Sequence, residues 1–166
     1  MSSHTRPKMS AFDGAPIRDA VSAVAERSFF AIVDGCDDPG VTTAPFWLFA
    51  FVRFDDGRTS GSLACWLPPE LAQMLFDSFS GRDPAGPTPP AHHVDDLVGE
   101  FSNMVCGDWL SRCHGQWAFQ LSPPIVVRAP RPDLRSSRRL WVKVNDRPLA
   151  IDWDFTAGPE AAPGRR

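Results

Sequence analysis

From His92 to Leu110 the chain keeps its apolar residues on one side, and this limits what it can fold into more than any other local pattern. Val94, Val98, Phe101, Val105 and Trp109 recur at helical spacing. Asp96, Glu100 and Asn103 fall opposite them. At about 100° per residue, Glu100 lies about 40° and Asn103 about 20° from Asp96, on either side of it. Such a helix buries one stripe against a second layer and offers the other to solvent or to a partner.

The flanking sequence supplies that layer. Pro16 to about Arg27 is predicted as a first helix, with Ile17, Val21, Val24 and Ala25 on one face and a proline in its first turn. Phe29 to Val33 reads as a short strand before Asp34-Gly35. Pro45 to Phe54 and Thr59 to Trp66, dense in aromatic and β-branched residues, read as a hairpin about Asp55-Asp-Gly57. Pro68 to Phe79 is predicted as a second helix with Leu71, Met74, Leu75 and Phe79 on one face. Trp117 to Val127 reads as extended, interrupted by Ser122-Pro-Pro124. Leu140 to Val144 and Pro148 to Phe155 form a last hairpin about Asn145-Asp146. The 17 prolines sit mostly in connections, as in Asp83 to Pro90, and so punctuate the elements. The expected class is α+β, with helices packed on an antiparallel sheet and a hint of a duplicated helix-strand-strand arrangement.

A chain of 166 residues suits one domain, placed at 14–156 between tails at 1–13 and 157–166 that read as disordered. The net charge of −3 argues against a nucleic-acid binder. No apolar run approaches membrane-spanning length, and Met1-Ser-Ser-His-Thr-Arg lacks the apolar core of a secretory signal, so a cytoplasmic chain without membrane contact is expected. The cysteines Cys36, Cys65, Cys106 and Cys113 form no CxxC pair and read as buried thiols. Cys106, Cys113 and His114 make a poor metal set, because zinc sites normally use two close ligand pairs. Arg128, Arg131, Arg135, Arg138, Arg139, Lys143 and Arg147 face only Asp133 and Asp146 in their segment. They read as a solvated hairpin, with a steering patch for an acidic partner as the sharper alternative.

Three kinds of chemistry fit the polar stripe, and solvation alone is the bland fourth. Two carboxylates can do acid/base work, but on an exposed face they lack a pocket to shift their pKa. A metal site lacks a histidine on the stripe. An amide, neutral and both donor and acceptor, can orient a water while a carboxylate anchors a partner's cation, as glutamine does in GTP-hydrolysing proteins. Gly107 shares this side one turn beyond Asn103. Glycine costs a helix roughly 1 kcal/mol against alanine, so its presence suggests a close approach by a docked partner.

The run Asp96-x3-Glu100-x2-Asn103, followed by Pro123 or Pro124, resembles the signature of the CheC/CheX/FliY family of bacterial chemotaxis phosphatases. Gly61 to Leu75 resembles that family's strand leading into its second helix, and the likeness spans about residues 15–155. A single motif in a short chain points to a CheX-like member. The resemblance implies an α+β CheX-like fold and hydrolysis of the aspartyl phosphate on a CheY-like response regulator. Carried over, Asn103 orients the attacking water and Glu100 pairs with the regulator's lysine, while Asp96 is a flanking contact. It implies no cofactor of the chain's own, with Mg2+ carried by the regulator, and a homodimer. A non-catalytic module that binds a regulator or a flagellar or signalling protein through the same helix is the alternative. Gly107-Asp108 and Trp109 depart from the family, which usually has Gly-Asn and a small residue there.

Overall fold

The structure is a computed structural model that describes residues 14–37, 39–40, 42–114, 118–133 and 138–157. The segments expected as tails lie outside these residues, apart from Ala157, and so do Trp117 and Arg135.

The described elements run α1 (Ala15–Phe29), β1 (Val33–Gly35), β2 (Trp47–Asp55), β3 (Thr59–Leu67), α2 (Pro69–Ser80), α3 (Ala91–His114), β4 (Gln120–Leu121), β5 (Ile125–Ala129), β6 (Arg139–Val144) and β7 (Arg147–Ala157). The strands form one antiparallel sheet in the order β1-β6-β7-β3-β2, with both β4 and β5 pairing the outer side of β2. All three helices pack on one face of it, and the α+β class is as the sequence predicts.

The period-two alternation of β2 explains the two faces. Leu48, Ala50, Val52 and Phe54 enter the main core, while Phe49 and Phe51 are half-buried and Arg53 is exposed on the other side. Opposite them on β3, Leu63, Cys65 and Leu67 join the core. The core also takes Ile17, Val21, Val24 and Phe29 from α1, Leu71 and Leu75 from α2, and Val98, Phe101, Val105 and Trp109 from α3. Burying each large apolar side chain contributes about 1.5–3 kcal/mol, so the stripe that opened the sequence is what fixes α3 to the sheet.

Turn chemistry sets the connections. Asn145 (φ 45°) and Asp146 (φ 65°) both take positive φ between β6 and β7, as a two-residue hairpin with the sheet's twist requires. α2 ends at Gly81 (φ 63°), with the Arg82 N–H donating to the Asp77 carbonyl at 3.0 Å. Gly61 on β3 sits where a Cβ would fall 2.2 Å from the Asp154 carbonyl oxygen and 2.4 Å from the Phe54 ring. That bare position lets Phe54 lie across the sheet and meet Trp109 edge-on at 5.6 Å, seating the C-terminal part of α3.

Two expectations need correction. Phe29 belongs to α1, and the strand starts only at Val33. Phe30 caps the helix in the left-handed region (φ 53°), with the Ala31 N–H reaching the Ala25 carbonyl at 3.1 Å. The apolar run had looked extended because it spans a helix end, a cap and a strand start. Phe79, placed on the inner face of α2, is 55% exposed although its ring meets Phe29 at 5.6 Å.

Candidate functional site on the third helix

α3 turns Asp96 and Glu100 to solvent and keeps Leu97, Val98 and Phe101 buried, as its periodicity requires. Among the described residues neither carboxylate has an ion pair or hydrogen bond. Both line a cavity of about 330 Å³ together with His92, Asp95, Gly99, Pro124 and Val126. Asn103 is half-buried and is not among the cavity's lining residues. Its Oδ1 is buried without a hydrogen-bond partner among the described residues. Buried amide oxygens are nearly always satisfied, so this one is an acceptor in want of a donor.

The helix is held on two sides. Asp95 accepts from both Nη1 and Nη2 of Arg128 on β5, at 3.0 and 3.2 Å. Towards α1, Asp108 accepts from Arg27 Nη2 at 2.8 Å and from Arg112 one turn on. Asp108 therefore clasps α1 to α3, which gives that departure from the family pattern an internal role. The contact raises the Arg112 pKa, chiefly through the hydrogen bond to Asp108.

Gly99, which sequence reasoning passed over, is the more closely approached of the two glycines of the helix. A Cβ there would lie 3.0 Å from Pro124 Cγ and 3.4 Å from Val126 Cγ2. At Gly107 a Cβ would meet only Leu121 Cδ1, at an ordinary 3.9 Å. The close approach inside the domain is thus at Gly99, and Pro124, rather than the exposed Pro123, is the proline beside the motif. A glycine one residue before Glu100 was the available signal, but its meaning depended on which strand lay beneath.

Most cations of the basic segment answer to acceptors within the chain. Besides Arg128, Arg131 donates to the Gly40 carbonyl at 2.7 Å, Arg138 pairs with Asp154, and Arg139 with Asp152 at 2.6 Å. The steering-patch alternative loses these four charges to internal contacts. The thiols of Cys65 and Cys106 are buried, and burial pushes each pKa up to about 12. Among the described residues no group of three or more His, Cys, Asp or Glu could hold a metal. The side chain of His114 lies outside the described residues. No helix among the described residues is long and apolar enough to cross a membrane.

Three described helices layered on one face of an antiparallel sheet, with an acidic ridge on the longest of them, define an α+β domain of the CheC/CheX type. Solved structures share that fold. A CheX chemotaxis protein from Desulfovibrio desulfuricans aligns at 16% identity over 86% of this chain and 98% of its own, with a TM-score of 0.63. CheX from Vibrio vulnificus aligns at 17% over 86% and 97%, with a TM-score of 0.61. A Borrelia burgdorferi CheX–CheY–BeF3–Mg2+ complex aligns at 16% over 87% and 98%, with a TM-score of 0.60. No curated protein matches the chain by sequence. The family described as "Chemotaxis phosphatase CheX" matches residues 48–143, and the chain belongs to that family.

Proposed function

We propose that this chain hydrolyses the aspartyl phosphate of a CheY-like response regulator by laying the α3 ridge over the regulator's phosphorylation site. The observation that carries the reading is the state of the ridge: Glu100 is exposed and has no ion pair among the described residues, and the Asn103 amide one turn away is bonded to no other described residue. Glu100 is open to a group brought from outside, and the Asn103 oxygen still lacks the donor that a positioned water would supply. Membership of the CheX family and the likeness to a protein crystallised with CheY support a receiver domain as that partner.

In this mechanism Glu100 pairs with the regulator's lysine, and Asp96 contributes a flanking acidic contact. The Asn103 amide aligns a water behind the phosphorus. The water oxygen attacks phosphorus in line as the bond from phosphorus to the aspartyl oxygen breaks. The regulator keeps its carboxylate, and the oxygen and both protons of the water leave with the inorganic phosphate as H2PO4−, which passes one proton to solvent as HPO4(2−) forms. A neutral amide suits the task because it orients water without repelling the phosphoryl oxygens, and phosphoryl transfer gains most from positioning and charge stabilisation. Mg2+ belongs to the regulator and neutralises the phosphoryl charge there. The protein acts as a homodimer, as the family resemblance implies, and sedimentation velocity of the wild type checks this by its mass.

The test is the decay of a CheY-like regulator phosphorylated with acetyl phosphate in Mg2+. Wild-type protein is expected to hasten loss of the phosphate over the regulator's own rate. Binding without acceleration refutes the phosphatase and leaves a non-catalytic adaptor. No binding to any cognate regulator refutes both.

A further inference from the structure

We infer that Gly99 and Pro124 form a positioning wedge that sets the height of α3 over the β4–β5 connection and so aims Glu100 and Asn103. Its kinetic consequence rests on the phosphatase reading, whereas its geometric content does not. Gly99 is buried, and a Cβ on it would stand 3.0 Å from Pro124 Cγ, 3.3 Å from Pro124 Cβ and 3.4 Å from Val126 Cγ2. Contacts that close require a neighbour to give by a few tenths of an ångström.

The neighbours have little room to give. Pro124 is a ring with its backbone φ fixed, not the end of a flexible chain. The next two residues, Ile125 and Val126, pair with Phe51 and Ala50 of β2. Before it, Ser122 is bound twice to Arg53: its N–H donates to the Arg53 carbonyl at 2.9 Å, and its Oγ accepts from the Arg53 N–H at 3.0 Å. The connection is thus pinned to β2 at both ends. Added bulk at Gly99 therefore lifts the helix rather than lowering the proline.

The lift reaches the site residues. Glu100 is the next residue in the chain. Asn103 lies four residues on and shares the face on which Gly99 meets Pro124 and Gly107 meets Leu121. The bidentate Asp95–Arg128 pair holds the start of α3 against β5, so the displacement concentrates beyond it, where the ridge side chains stand. Misplacing a catalytic group by about 1 Å costs about a hundredfold in rate, and a few tenths about tenfold.

The experiment compares Gly99→Ala, Pro124→Ala and the double variant in two ways. In the first, each acts on a CheY-like receiver domain charged with acetyl phosphate and Mg2+. Gly99→Ala is expected to lower kcat about tenfold with KM changed less than threefold, and Pro124→Ala in the same chain to restore most of it. A general loss of packing would not be repaired by removing a second side chain. In the second, the Asn103 side-chain amide signal is followed by NMR in the free protein. It is expected to shift in each single variant and to move back towards the wild-type position in the double. An unmoved signal in Pro124→Ala, or a kcat not restored in the double variant, overturns the wedge. Should Gly99→Ala fail to fold, Pro124→Ala alone decides by its signal. Should wild-type protein fail to hasten phosphate loss, the phosphatase reading falls, and the NMR arm decides the wedge by itself.

Discussion

The ridge of α3 and the Arg138–Arg139 cluster on the helix-free face of the sheet both carry charge, yet they treat it in opposite ways. On the sheet, Arg139 donates from Nε and Nη2 to the two oxygens of Asp152, each at 2.6 Å. Asp152 also accepts from Trp66 Nε1 at 3.0 Å, and the Arg139 guanidinium lies 5.7 Å from the Trp66 ring centre. Arg138 and Asp154 form a further pair on β6 and β7. Each group of this cluster satisfies another, although on the same face the Trp47 and Trp141 indole N–H groups are buried without a hydrogen-bond partner among the described residues. On the ridge, Asp96 and Glu100 have no partner among the described residues, and the Asn103 oxygen is enclosed without one. A satisfied network stabilises the fold, whereas exposed unpaired carboxylates contribute little to it and an enclosed amide oxygen without a donor costs about 1–3 kcal/mol. The contrast gives the arginine cluster a stabilising role and leaves the ridge carboxylates available to a ligand.

The strongest challenge on the structural side is Gly61→Ala. A Cβ there collides with both backbone and the Phe54 ring, so the change is expected to cost about 3 kcal/mol, read as a lower denaturation midpoint at unchanged slope. Ridge variants that cost as much would erase the contrast.

Arg139→Ala against Glu100→Ala sharpens it further. Arg139 has a side chain only 8% exposed, and its removal leaves Asp152, itself 27% exposed, without its cation. A loss of about 2 kcal/mol is expected, less than for a fully buried pair because water still reaches the carboxylate. Glu100→Ala removes an exposed, unpaired group and is expected to change stability by under about 0.5 kcal/mol while weakening regulator binding. Urea denaturation of the two variants decides the matter.

Asp108→Asn falls between these cases. Its partners Arg27 and Arg112 have side chains 66% and 41% exposed, so solvent screening keeps the loss below about 1 kcal/mol. Added salt is expected to shrink that difference.

A further effect is one of pH. Cys65 and Cys106 keep their protons in the folded state to about pH 12, against an ordinary value of 9.0. Above pH 9 the unfolded chain releases protons that the folded one holds, so stability falls as pH rises through that window and is unaffected below it. Denaturation midpoints at pH 8 and pH 10 check the direction, and Cys65→Ala is expected to flatten the slope.

Much of this was legible in the sequence because it is local. Helical spacing alone put Val98, Phe101, Val105 and Trp109 inside and Asp96 and Glu100 outside, and Asn145-Asp146 announced its hairpin. What escaped depended on partners far along the chain. Gly99 has meaning only once Pro124 lies beneath it, and Asp108 only once Arg27 arrives from α1. The basic segment looked uncommitted because its acceptors Asp95, Gly40, Asp152 and Asp154 lie elsewhere in the chain. Phe29 to Val33 misled for another reason, since an apolar run carries no period when it crosses a helix cap.

The central claim is that the Asn103 amide positions water on a partner's phosphoryl group. Its most direct test is the single-turnover decay of a phosphorylated CheY-like regulator at saturating wild-type or Asn103→Ala protein. Asn103→Ala is expected to lose about a hundredfold or more in rate with regulator affinity retained. Equal rates for the two proteins would contradict it.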